Sequence, residues 1–146
     1  MRIHYFAFLV FAICSVNGFC QEWQANYATA LAEANEQNKP LLLVFSGSDW
    51  CAPCIKLDKE IWKSEEFIAN SKLNYILYRA DFPRKKANKL PKDLEKQNKA
   101  LADSYNPNGH FPLVVILSNK EKVLGQTGYK KVEPAAYISH LNSFLK

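Results

Sequence analysis

Residues 41–45 read Leu-Leu-Leu-Val-Phe, an unbroken apolar run with no alternation between an inward and an outward face. A strand that short buries every side chain only inside a sheet covered on both sides. The chain must therefore supply a layer above this strand, a layer below it, and partners along its edges. Residues 22–38 carry Trp23, Tyr27, Ala30, Leu31 and Ala34 at helical spacing and stop at Asn38-Lys39-Pro40, because the residue before a proline is pushed out of the helical region. After the strand a second helix is expected through Ile55, Leu57, Ile61, Trp62 and Phe67, with Ser48 or Asp49 supplying its capping oxygen. Residues 73–81 have the β-branched and aromatic content of a strand, and a helix is expected from about Pro91 to Tyr105. The turn 106–111 leads to the apolar strand 112–118, and the short polar connection 119–122 leads to a weaker strand over 123–129. A terminal helix over Val132–Leu145 offers Ala136, Ile138, Leu141 and Leu145 for packing. This order of helix, strand, helix, strand, helix, strand, strand, helix fits one α/β domain with a central sheet and helices on both faces.

The first twenty residues stand apart. They hold Arg2, an apolar run from Tyr5 to Val16, and Gly18 and Cys20 just before Gln21, which is the layout of a secretory signal peptide. The run is too short to span a bilayer comfortably. Cleavage after Cys20 is expected, leaving residues 21–146 as a single periplasmic or secreted domain. The alternatives are an uncleaved anchor and a lipidated cysteine, the latter poorly served by bulky Phe19. Cleavage removes Cys14 and Cys20, so the mature chain keeps two cysteines and a disulfide-rich scaffold is excluded. An oxidising compartment would let such a pair cycle through its disulfide form. The formal charge is +5, from nineteen Lys and Arg against fourteen Asp and Glu. Much of it sits in residues 82–99, expected as a solvated helix face. No nucleic-acid partner is expected, since that patch lacks interleaved aromatics.

The remaining cysteines form Cys51-Ala52-Pro53-Cys54, between the apolar strand and a helix. The spacing alone leaves open a structural bridge, a pair of metal ligands and a working dithiol. A bridge closing so small a loop removes little entropy from the unfolded chain. A zinc site would want a second pair of ligands, and His110 and His140 have no evident partnership with these cysteines. A helix N-terminus, by contrast, favours thiolate over thiol. On the redox reading Cys51, facing outward more than its neighbour, attacks a substrate disulfide and Cys54 resolves the mixed disulfide. Pro53 restrains the turn, Ala52 adds no ionisable group, and Trp50 offers an apolar surface to a peptide.

The stretch from Phe45 to Cys54, ending Asp-Trp-Cys-Ala-Pro-Cys, resembles exported members of the thioredoxin-like superfamily. So do Phe111-Pro112 and the element order from Glu22 to Lys146. The resemblance implies a thioredoxin-like fold with a central mixed sheet of about four strands. It implies a cis bond before Pro112 and a substrate strand pairing with the backbone at Phe111, so that Trp50, Ala52, Pro53, Phe111 and Pro112 form the substrate-binding set. The implied activity is thiol:disulfide exchange with protein cysteines outside the cytoplasm, with no cofactor and no metal. Ala-Pro between the cysteines resembles the reducing branch; net oxidase or isomerase activity and a non-catalytic binding or assembly module are the alternatives. The implied partners are cysteine-containing substrate proteins and an upstream thiol-disulfide electron donor, which could be membrane-associated, and the protein is expected to be a monomer. Two departures matter. Thioredoxins proper carry an acid six residues before the first cysteine, where this chain has Phe45, so proton exchange at Cys54 falls to water or another group. Asp58 and Glu60, expected to be exposed, and Asp81 are the charged candidates. The lysine-rich segment 82–99 is longer than the equivalent thioredoxin connection and is expected as a solvated insertion, and His110 is close enough in sequence to touch a bound peptide.

Overall fold

The computed structural model describes residues 22–146. The expected signal peptide, its cleavage point, Cys14 and Cys20 lie outside the described residues. Strands β1 (Leu41–Ser46), β2 (Ile76–Asp81), β3 (Leu113–Leu117) and β4 (Val123–Thr127) form one sheet in the order β2-β1-β3-β4. β1 runs parallel to β2 and antiparallel to β3, and β3 is antiparallel to β4, so the sheet is mixed. The apolar run is thus an interior strand, as its composition requires.

Helices cover both faces. On one side Leu42 and Val44 pack against α2 (Ala52–Leu57) with its continuation Asp58–Trp62, α3 (Glu65–Asn74) and α5 (Pro134–Asn142), through Leu57, Ile61, Trp62, Phe67, Tyr137 and Leu141. On the other, Leu41, Leu43 and Phe45 pack against α1 (Tyr27–Glu36) and α4 (Lys92–Tyr105) through Tyr27, Ala30, Ala34 and Leu101. The two sets alternate along β1, as the pleat dictates. No helix among the described residues is long and apolar enough to cross a membrane.

Several boundaries depart from the sequence expectation, each for a local reason. α1 begins at Tyr27, where the Asn26 side chain accepts the Thr29 N–H. Trp23, expected on that helix, instead bridges to the sheet edge at Leu77, with Gln24 N–H bonded to the Leu77 carbonyl at 2.9 Å. Its ring packs on Trp62 on the opposite face from Tyr27. The single helix expected through Phe67 is divided. The Lys63 N–H reaches back five residues to the Asp58 carbonyl, a widened turn, and Ser64 then caps α3 by accepting the Phe67 N–H. Leu73 and Asn74 end α3, so β2 is shorter than residues 73–81. The charged segment 82–99 is helical only from Lys92; before it runs a loop with one tight turn at Lys86–Asn88. In α5, Tyr137, Ile138 and Leu141 do the packing while Ala136 is exposed, as is Leu145 in the tight turn Ser143–Leu145 that follows.

Candidate active site

The register of the sheet decides which loops meet. Ser46 of β1 stands opposite Asp81 of β2, and Phe45 opposite Leu113 of β3. The chain leaving β1, the chain leaving β2 and the chain entering β3 therefore emerge at one end of the sheet. Aromatic contacts confirm the convergence: the Phe111 ring lies 5.5 Å from Trp50 and 5.5 Å from Phe82.

Cys51 is the residue that caps α2. Its backbone is extended (φ −88°, ψ 100°), and its Sγ accepts the Cys54 N–H at 3.3 Å. Ser48 and Asp49, expected to cap this helix, do not. Cys51 and Cys54 are joined as a disulfide with an S–S distance of 2.07 Å, so the structure holds the oxidised form. Both are buried, at 5% and 3% exposure, and Cys51 is the more open of the two only narrowly. Ala52 and Pro53 form the exposed crest of the turn between them.

The residues ahead of Cys51 clasp the loop that follows β2. Asp81 accepts both the Ser48 N–H at 2.9 Å and the Ser48 hydroxyl at 2.5 Å. Asp49 accepts the backbone N–H groups of Arg84 and Lys85 and the Asn88 side-chain amide, all at 2.9 Å. The Arg84 N–H, with help from Asn88 and Lys85, holds the Asp49 carboxyl below the usual carboxylate range. Trp50 donates its indole N–H to the Phe82 carbonyl at 2.7 Å, and the Arg84 guanidinium lies 3.7 Å from the Trp50 ring centroid. Gly47 makes room for this: a Cβ there would stand 2.3 Å from Trp50 Cε2.

The third loop is tied by Asn106. Its buried amide accepts the His110 N–H and donates to the His110 carbonyl, each at 2.8 Å. Gly109 makes the turn with φ +65°, a conformation that suits glycine. The Phe111–Pro112 peptide bond is cis and Pro112 is buried at the start of β3. His110 itself is exposed.

No acid stands at position 45. Phe45 is fully buried among Tyr27, Leu43 and Leu101 on the face of α1 and α4. Asp58, expected to be exposed, is half-buried and pairs with Lys63 at 2.6 Å and Arg79 at 2.7 Å. Burial pushes its carboxyl up, but the Lys63 and Arg79 contacts outweigh this and hold it below the usual range. Glu60 is exposed and accepts the Tyr129 hydroxyl at 2.6 Å. His140 bonds with Thr127 and Lys130, each at 3.0 Å, rather than with the cysteines. Asp49 and Asn106 were not singled out as positioning groups from the sequence. Asn106-Pro107-Asn108-Gly109 is a recognisable turn, but nothing local marks its side chain as the tie.

An adjacent pair of sulfurs at a helix start can open to two thiols and close again by exchange with another disulfide, carrying two electrons without a further group. A sequence model of the family described as Thioredoxin-like matches residues 22–118. The disulfide bond reductase DsbH of Chlamydia pneumoniae is 35% identical over 125 residues, spanning 86% of this chain and 73% of that protein. The thioredoxin-related protein DsbJ of Chlamydia pneumoniae is 31% identical over 106 residues, spanning 73% of this chain and 30% of that protein. Among solved structures, the DsbH oxidoreductase superposes with a TM-score of 0.79 at 34% identity, covering 85% of this chain and 83% of that one.

Proposed function

The chain belongs to the thioredoxin-like family and is a thiol:disulfide oxidoreductase, and from that premise we propose that it reduces disulfides of proteins outside the cytoplasm. The observation that carries the mechanism is the Cys51 sulfur capping the helix that bears Cys54, with the Cys54 N–H aimed at it from 3.3 Å. In the reduced protein that donor and the free N–H groups of the first helical turn favour the Cys51 thiolate. The thiolate attacks one sulfur of the substrate disulfide; a bond forms to Cys51 and the other substrate sulfur leaves as a thiolate. Cys54, as its thiolate, then attacks the Cys51 sulfur, closing the protein disulfide and releasing the second substrate sulfur. The substrate gains two electrons from the two enzyme sulfurs, and its released thiolates take up their protons from water. With Phe45 in place of an acid six residues before Cys51, the Cys54 proton leaves to water or to another group.

The exposed crest Ala52-Pro53, the Trp50 ring and the backbone at Phe111-Pro112 would hold the substrate strand across the sulfurs, as an added β-type partner. Recharging requires an upstream thiol-disulfide donor, and the protein acts as a monomer. Export rests on the signal-peptide pattern of residues 1–20. The reducing direction is supported by the Ala-Pro crest and by the reductase activity in the name of the 35%-identical relative. Equilibrating the purified mature chain with glutathione buffers of graded ratio, then alkylating and weighing it, gives the potential. A value near about −270 mV is expected, as for thioredoxin; a value near about −120 mV, that of a strong oxidant, would reverse the direction.

A further inference from the structure

We propose that the loop after β2 and the start of α4 build a specificity pocket beside the dithiol, which takes a large apolar side chain flanking the substrate's cysteine and favours acidic residues around it. This rests on the thiol:disulfide exchange reading above and adds the class of peptide that the site selects. The pocket is a cleft of about 570 Å³ walled by Trp50, Phe82, Pro83, Leu90 and Phe111. That volume is in the range of sites that hold small ligands, enough for a large side chain with its backbone. It borders the redox site through two of its wall residues, since Trp50 immediately precedes Cys51 and Phe111 immediately precedes Pro112. A strand lying across the sulfurs and pairing at Phe111 projects alternate side chains toward this wall.

The cleft is also preformed. Ser48, Asp49 and Trp50 each bond to residues 81–88, so the far wall is tied to the turn carrying Cys51. The charge of the wall argues for the second half of the proposal. Between Pro83 and Lys99 stand seven basic side chains and two acidic ones. Arg84 lines the cleft over the Trp50 ring and, among the described residues, makes no ion pair; Lys99 lines it too and pairs with the exposed Asp103 at 3.2 Å. Glu95 and Asp81 also line the cleft, but Asp81 is taken up by the Ser48 N–H and hydroxyl, and the positive surplus comes from the basic residues of the segment around it. An acidic segment would be drawn in and held at Arg84, whereas a basic one would be repelled.

The test uses synthetic peptides, each carrying one cysteine as a mixed disulfide with glutathione, with Phe or Gly on both sides of it and Asp or Lys at the next positions. Bis(2-hydroxyethyl) disulfide serves as a substrate too small to reach the cleft. For the mature protein kcat/KM is expected to be about tenfold higher with Phe than with Gly, and higher with Asp than with Lys. Leu90→Ser should shrink the Phe-to-Gly ratio toward one, and Arg84→Glu should reverse the order of Asp and Lys. Equal rates on all peptides, with the small disulfide still reduced, would overturn the pocket and leave the exchange chemistry standing. Failure on the peptides and the small disulfide alike would overturn both.

Discussion

Cys51→Ala is expected to abolish disulfide reduction, lowering turnover of a protein disulfide by ~10³-fold or more, because the attacking sulfur has no substitute. Cys54→Ala should behave differently. Its Cys51 can still attack, but nothing resolves the product, so a covalent adduct accumulates on Cys51 to about one equivalent and mass spectrometry finds it there. The asymmetry follows from the geometry at the helix start, where Cys51 is the cap and Cys54 lies within the first turn. Adducts found on Cys54, in the converse Cys51→Ala variant, would exchange the two roles. Activity that survives replacement of both would remove the chemistry altogether and leave a binding module.

The second large effect lies beneath the site. Trp62 ends the widened turn that continues α2, is 1% exposed, and packs against Phe67 at 4.5 Å, Tyr137 at 5.6 Å and Trp23 at 6.2 Å between ring centroids. Trp62→Ala removes the group that joins α2, α3, α5 and the N-terminal bridge, and should cost about 3–5 kcal/mol. That is a large share of the roughly 5–15 kcal/mol that holds a domain of this kind together. Trp62→Phe keeps much of the ring contact and should cost markedly less. Urea unfolding of the oxidised proteins separates the two; an alanine variant within about 0.5 kcal/mol of the parent would mean that the ring cluster adds little.

The sheet was legible because its central strand is apolar at every position, which admits only an interior place. Trp23 misled because it stands four residues before Tyr27, a helical interval, whereas pairing at Leu77 and the cap at Asn26 decide its place. The division after Trp62 was missed because the apolar stripe runs on from Ile61 to Phe67; Ser64 followed by Glu65 and Glu66 was the available signal. At the site, Cys51-Cys54 and Phe111-Pro112 are short local motifs, so the closeness of the two sulfurs could be anticipated from their spacing and the cis bond from the resemblance. The clasp was not, since Asp49 and its partners lie 35 to 39 residues apart in sequence, with no periodicity to link them. The segment 82–99 read as a solvated insertion from its charge, and half of that reading holds. Its lysines are exposed, but Phe82, Pro83 and Leu90 turn inward toward Trp50 and Phe111.

The rate of iodoacetamide alkylation of Cys51 in the reduced protein, followed across a pH series, bears most directly on the claim that a helix start activates this sulfur. A midpoint at least about one unit below the ~8.5 of an ordinary thiol is expected, with Cys54 reacting far more slowly. A Cys51 midpoint at or above that of free cysteine would contradict the account.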